Sequence, residues 1–221
     1  GNLDLSGAFT SGIGSGVRVN TLTVTGTAEF NANILTVAGQ TYEGAVTITG
    51  GNPTLGTTSG DVVFNGTVDG GSQTVTVSSG LDLNADASNL TSLSVLRAAD
   101  LGGNVTTTAG QIYQSTVILS GGDRVLTSSG GSPLQFQSTL TGSGDNLTVD
   151  AAFNPQGAVS SIANLLVTKA ATIEALISTT GTQTYNGTVT SQGGSRTFTG
   201  TTVSFANTTT ALTGDGSAVV V

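Results

Sequence analysis

A long internal repeat constrains this chain more than any other feature. The segment Gln40-Thr-Tyr-Glu-Gly-Ala-Val returns as Gln111-Ile-Tyr-Gln-Ser-Thr-Val and as Gln183-Thr-Tyr-Asn-Gly-Thr-Val, a period of roughly 72 residues. Upstream, Thr21-Leu-Thr-Val, Ser92-Leu-Ser-Val and Asn164-Leu-Leu-Val each begin at one fixed offset before that Gln. Downstream, Val68, Leu140 and Leu212 form one series and Val75, Leu147 and Val219 another, both with the same step. One further step before Val75 lies Leu3, so Gly1–Leu5 and Ser217–Val221 occupy the same phase of the period. Self-similarity over a period too long for one hairpin marks an array of stacked units. The 221 residues are therefore a single repeat domain, 1–221, with repeats of approximately 5–76, 77–148 and 149–221.

The pattern inside one period decides the architecture. Leu22-Thr-Val, Val46-Thr-Ile-Thr, Val75-Thr-Val and Leu81-Asp-Leu alternate apolar with small polar residues, and Gly, Asn, Asp and Ser punctuate them. That is strand grammar at period two. Residues 162–177, with Ala-Ala-Thr-Ile-Glu-Ala-Leu-Ile, alone look helical, and their counterparts one and two periods earlier are strand-like. Strands this short in a repeat this long predict an all-β fold, a right-handed parallel β-helix or β-solenoid in which each coil pairs with those above and below. A coil needs roughly 18–24 residues, giving about three to four coils per period. Nine to twelve coils at roughly 4.8 Å each make a rod about 43–58 Å long. A propeller would need a period of about 40–50 residues, and sandwiches carry no sustained repeat.

Composition then removes most chemistry. There is no Cys, His, Met or Trp among 33 Gly, 40 Thr and 24 Ser. Without thiolate or imidazole, the usual zinc, haem and iron–sulfur ligand sets are missing, and no cofactor is expected. With 13 acidic and 5 basic residues the net charge is −8, which disfavours nucleic acid and anionic membranes as partners. No apolar run is long enough for membrane insertion or a signal peptide. The absence of Met predicts a processed product or an excerpt of a longer chain.

Strings such as Gln40-Thr-Tyr-Glu-Gly-Ala-Val-Thr, Val62-Val-Phe-Asn-Gly-Thr-Val, Asn104-Val-Thr-Thr-Thr-Ala-Gly-Gln and Gly181-Thr-Gln-Thr-Tyr-Asn-Gly-Thr-Val-Thr resemble the repeats of filamentous-haemagglutinin-like exoproteins and related bacterial surface adhesins. The likeness runs over nearly the whole chain. It implies a secreted, surface-displayed β-helix used as a stalk, fibre or adhesive rod. That family's export domain carries an Asn-Pro-Asn-Gly-type motif, and the nearest string here, Asn154-Pro-Gln-Gly, departs at its third position and is expected to be an ordinary turn.

Candidate sites are few. Tyr42, Tyr113 and Tyr185 occupy one column of the repeat, which raises an exposed aromatic ladder for glycan stacking, but at roughly 14–19 Å apart they are too distant to touch, and each ring is expected to pack at a corner or core edge with its hydroxyl paired. Phe64, Phe136 and Phe205 are expected in the core. Thr-x-Thr pairs such as Thr47-Ile-Thr49, Thr74-Val-Thr76 and Thr188-Val-Thr190 raise ice binding as a reading, but they fall in several columns. Most of the ten Asp are expected in turns, making Asx-type bonds, with no calcium-loop motif. Arg97 with Lys169, and Arg124 with Arg196, are expected to share faces one period apart. A polysaccharide-active enzyme would need three or more carboxylates converging in one groove.

The resulting expectation is a non-enzymatic structural segment of an extracellular, cell-surface fibre or adhesin stalk. Neither terminus carries a capping pattern, and exposed strand edges invite pairing. The ends would stack head to tail through Gly1, Asn2, Leu3, Asp4 and Leu5 against Ser217, Ala218, Val219, Val220 and Val221, or continue into a longer repeat polypeptide. Host or matrix glycans are the other partner class, and a glycan- or ice-binding module is the alternative function.

Overall fold

Alternation of apolar and polar residues becomes alternation of inside and outside. In the strand Val46–Ile48 the two aliphatic residues are buried and Thr47 is exposed. The strand Leu22–Val24 repeats the pattern with Thr23 half-buried. A computed structural model describes residues 2–6, 9–10, 19–206, 212–214 and 219–220. Its strands are two to five residues long, and no helix occurs among the described residues. The helix-like stretch 162–177 forms the strands Leu165–Val167 and Ala171–Ile173 and enters Ile177–Thr179.

Three strands make one coil, and the coils stack into a three-sided parallel β-helix of about ten turns. Its sides are sheets of 12, 11 and 10 strands, here sheets A, B and C, in which each strand pairs with the strand three places along the chain. The first coil is the exception: Leu3–Leu5 and Phe9–Thr10 pair with strands two places along, because its sheet C position is held by an isolated parallel bridge from Val19 to Thr36. Along sheet A the register runs Leu22↔Gln40, Gln40↔Val62, Leu81↔Ala99 and Val117↔Leu140. The coil step is thus uneven, shorter from Leu22 to Gln40 than from Val117 to Leu140. Backbone bonds between coils continue through the turns, as in Ala28 N–H to Ala45 O at 2.9 Å and Leu81 N–H to Ala98 O at 3.0 Å.

The core is one continuous column running from Leu22 to Phe198. It is narrow because each strand contributes only one or two inward side chains, so Val, Leu and Ile dominate. Its packing leaves a void of about 20 Å³ among Ile48, Phe64, Val75 and Leu83.

The period and the coil do not match, which corrects the expectation of shared faces. The strand bearing Tyr113 is the eleventh after the one bearing Tyr42, and the strand bearing Tyr185 is the eleventh after that. Eleven strands are three coils plus two strands. Each period therefore starts one sheet away from the last: Tyr42 lies in sheet A, Tyr113 in sheet C and Tyr185 in sheet B. The basic pairs separate for the same reason. Arg124 is in sheet B and Arg196 in sheet A, while Arg97 sits in a turn from sheet C to sheet A and Lys169 in one from B to C.

Candidate functional site

The repeated Gln-x-Tyr motif is an internal corner plug. Gln40, Gln111 and Gln183 are fully buried, as are Tyr42, Tyr113 and Tyr185. Each amide bridges two coils across a corner. Gln40 Nε2 donates to Ile34 O at 2.9 Å and Gly56 O at 2.7 Å. Gln111 Nε2 donates to Val105 O at 3.2 Å and Thr127 O at 2.9 Å. Gln183 Nε2 donates to Ile177 O at 3.3 Å and Thr199 O at 2.8 Å. The Tyr hydroxyl then donates to the Gln Oε1, at 2.9, 2.9 and 3.1 Å along the series. Because the motif rotates with the period, it seals the C–A, B–C and A–B corners once each.

Burial pushes all three phenols above their ordinary titration range. Each ring stacks on the paired Phe of the next coil, Tyr42 on Phe64 at 5.2 Å, Tyr113 on Phe136 at 5.1 Å and Tyr185 on Phe205 at 5.4 Å between centroids. Phe64 and Phe136 are buried and Phe205 is partly so. The motif is visible in the sequence, but the role of its Gln is not, because an amide serves a buried backbone only once the corner exists.

The carboxylates depart from expectation. Asp4, Asp61, Asp69, Asp82, Asp100 and Asp150 lie on strands, and Asp86, Asp123 and Asp145 in turns. Asp215 lies outside the described residues. The local Asx bond expected of turn residues is made by the strand residue Asp69, whose Oδ1 accepts from Gly71 N–H at 3.0 Å, whereas the turn residues bond between coils: Asp86 Oδ1 accepts from Asn104 N–H at 2.8 Å and Asp123 Oδ1 from Asn146 N–H at 2.9 Å. The side-chain and backbone bonds from Asn146 hold the Asp123 carboxyl below its usual range. Asn154 and Pro155 finish the strand Phe153–Pro155, so the Asn-Pro-Gln-Gly string begins in a strand and turns only at Gln156.

Asp61, Asp82 and Asp100 share one shallow groove on sheet A, walled by Ala98, Ala99, Thr116 and Ile118. They stand on successive coils, with Asp82 paired to Asp100 and Asp61 to Gly80. Partial burial first, then repulsion from Asp61 and Asp100, raises the Asp82 carboxyl above its ordinary value. The three do not close on a point: among the described residues no group of three acidic side chains has the spacing to hold a metal ion. This grouping is hidden in the sequence because the coil step between these residues is irregular.

Next to that groove the C–A corner is notched. The turn Thr58–Gly60 has three residues, the following turn at Ser78 and Ser79 has two, and the turn Leu96–Ala98 has three again. The short middle turn leaves a hollow of about 520 Å³ with Ser79 and Gly80 at its floor. Thr57, Thr58, Ser59 and Asp61 line one side, and Leu96, Arg97, Ala98 and Ser115 the other. Two coil spacings set the backbone walls roughly 10 Å apart. Asp61 and Arg97 make no ion pair with each other, and the ion pair among the described residues joins Lys169 to Asp150 at 3.7 Å on the exposed surface.

The Thr pairs spread round the rod, with Thr47 in sheet B, Thr76 in sheet C, Thr190 in sheet C and Thr199 in sheet A. Of the terminal residues, Leu3, Asp4 and Leu5 form the first strand of sheet A, and Val219 and Val220 the last. Asn2 accepts from Asn20 Nδ2 at 2.9 Å. Gly1, Ser217, Ala218 and Val221 lie outside the described residues. No protein-family model, curated protein or solved structure matches this chain.

Proposed function

We propose that this chain is a structural rod segment of an extracellular bacterial fibre or adhesin stalk, non-enzymatic, and extended along its axis by a second copy or by further repeats of the same polypeptide. One observation supports this reading above others: sheet A opens with Leu3–Leu5 and closes with Val219–Val220 at the same phase of the period. Further repeats of the polypeptide would add the equivalent of Leu22–Val24 to the outer edge of Val219–Val220, as Leu22–Val24 lies on Leu3–Leu5, and a second copy would add its own Leu3–Leu5 strand there, in either case without changing face. Parallel strand edges pair readily when nothing covers them, and stacking by repetition gives a stiff rod from contacts the fold already makes.

Light scattering and electron microscopy across a concentration series test the reading. Particles that lengthen in steps of one rod, about 50 Å, are expected. Discrete particles of one length at every concentration, together with a native polypeptide mass equal to this chain, would overturn it.

A further inference from the structure

The C–A notch has a lining that a passive rod does not require. Asp61 and Arg97 are exposed, carry opposite charges and face the same hollow, and their side chains are engaged by no hydrogen bond or ion pair among the described residues. A Cβ on Gly80 would come within 2.0 Å of Asp61 Oδ1, so glycine at the floor leaves room for that carboxylate to lie across it. Thr57 Oγ1 donates to Gly60 O at 2.6 Å and Gly60 takes a φ of 84°, which fixes the loop that forms the first wall. The hydroxyls of Thr58 and Ser115 add donors and acceptors, those of Thr57, Ser59 and Ser79, whose protons go to Gly60 O, Val37 O and Gly80 O, add acceptors, and Leu96 and Ala98 supply an apolar strip. A volume of about 520 Å³ lies in the range of small-molecule sites.

We propose that this notch binds one residue of a neutral saccharide. Neighbouring sugar hydroxyls donate to the Asp61 carboxylate, Arg97 donates to hydroxyl or ring oxygens, and the C–H face of the ring rests on Leu96 and Ala98. The hollow opens onto the groove of Asp82 and Asp100, so a longer chain has room to run toward sheet A while a polyuronate is repelled. The site goes beyond the rod role and does not depend on end-to-end stacking.

The test titrates the full chain with maltohexaose, cellohexaose, mannohexaose, N-acetylchitohexaose and hexagalacturonate, by calorimetry and by NMR. At least one neutral hexasaccharide is expected to bind saturably, with a Kd of about 1 mM or lower. Asp61→Asn and Arg97→Gln are each expected to weaken it about tenfold or more, while Glu29→Gln, on sheet B, leaves it unchanged. Both substituted side chains are exposed, and an unchanged unfolding midpoint will show that the fold is retained. Absence of binding by every neutral saccharide at about 10 mM, binding of hexagalacturonate alone, or binding that survives both substitutions overturns the proposal. Rod length, measured separately, is untouched by any of these results.

Discussion

Gln111 places a primary amide where no water reaches it, and Val105 O, Thr127 O and the Tyr113 hydroxyl are satisfied by that one side chain. Leaving such groups unpaired costs more than the bonds contribute. Tyr113→Phe orphans one acceptor and is expected to cost about 1–2 kcal/mol. Gln111→Leu, which takes the side-chain partner from Val105 O and the Tyr113 hydroxyl and leaves Thr127 O to the Thr107 hydroxyl, should cost about 2–4 kcal/mol in urea unfolding. Asp82 gives a different signature. Its proton is held more tightly in the folded chain than in the unfolded one, so stability falls as pH rises through the ordinary carboxylate range. Asp82→Asn removes that penalty. Its melting temperature should exceed the parent's at pH 7 and match it near pH 3, where the carboxyl is protonated whether the chain is folded or not. The gain is at most about 1 kcal/mol, because the group is largely solvated.

At the scale of the element, the turns matter more than the strands. Gly26, Gly44 and Gly66 stack at successive A–B corners, and a Cβ on Gly66 would meet Gly44 C and O at 2.3 Å. The backbones touch at Gly44 and Gly66, so a side chain at Gly66 requires those two coils to part, whereas, one coil on, Ala85 takes the equivalent place. Gly66→Ala is expected to lose about 1–3 kcal/mol, as overpacking does in a closed interior. Thr67→Ala, one residue along on the same turn, alters an exposed side chain and serves as the control, with a change near zero. Equal losses for both would mean that the corner is not tightly stacked. Turn length also shapes the surface: the C–A notch exists because the turn at Ser79 is shorter than those on either side.

For the whole molecule, the mismatch between period and coil is the governing fact. Removing residues 77–148 joins Thr76 to Val149 at equivalent points of the repeat, so inward positions continue inward. Every later strand then moves by one sheet round the rod, and Phe153, now in sheet C, enters sheet A. The shortened chain should fold, unfold in a cooperative transition, and measure about 18 Å less along its axis by small-angle scattering. A deletion that failed to fold would show that particular faces, and not only local repetition, carry the stability.

Much of this was legible in the residues. The alternation in Val46–Ile48 or Leu165–Val167 specifies strands, since each apolar side chain needs an inside and each Thr an outside. The spacing of Gln40, Gln111 and Gln183 specifies an array, and the lack of Cys and His narrows its chemistry. The angular position of each side chain was not legible. Uneven coil steps, set by turns that differ in length, decide which strand lies over which. That is why three equivalent tyrosines point into the core from three sheets, and why Asp61, Asp82 and Asp100, unremarkable along the chain, meet in one groove. Period is a property of sequence, whereas facing is the accumulated rotation of every turn before it.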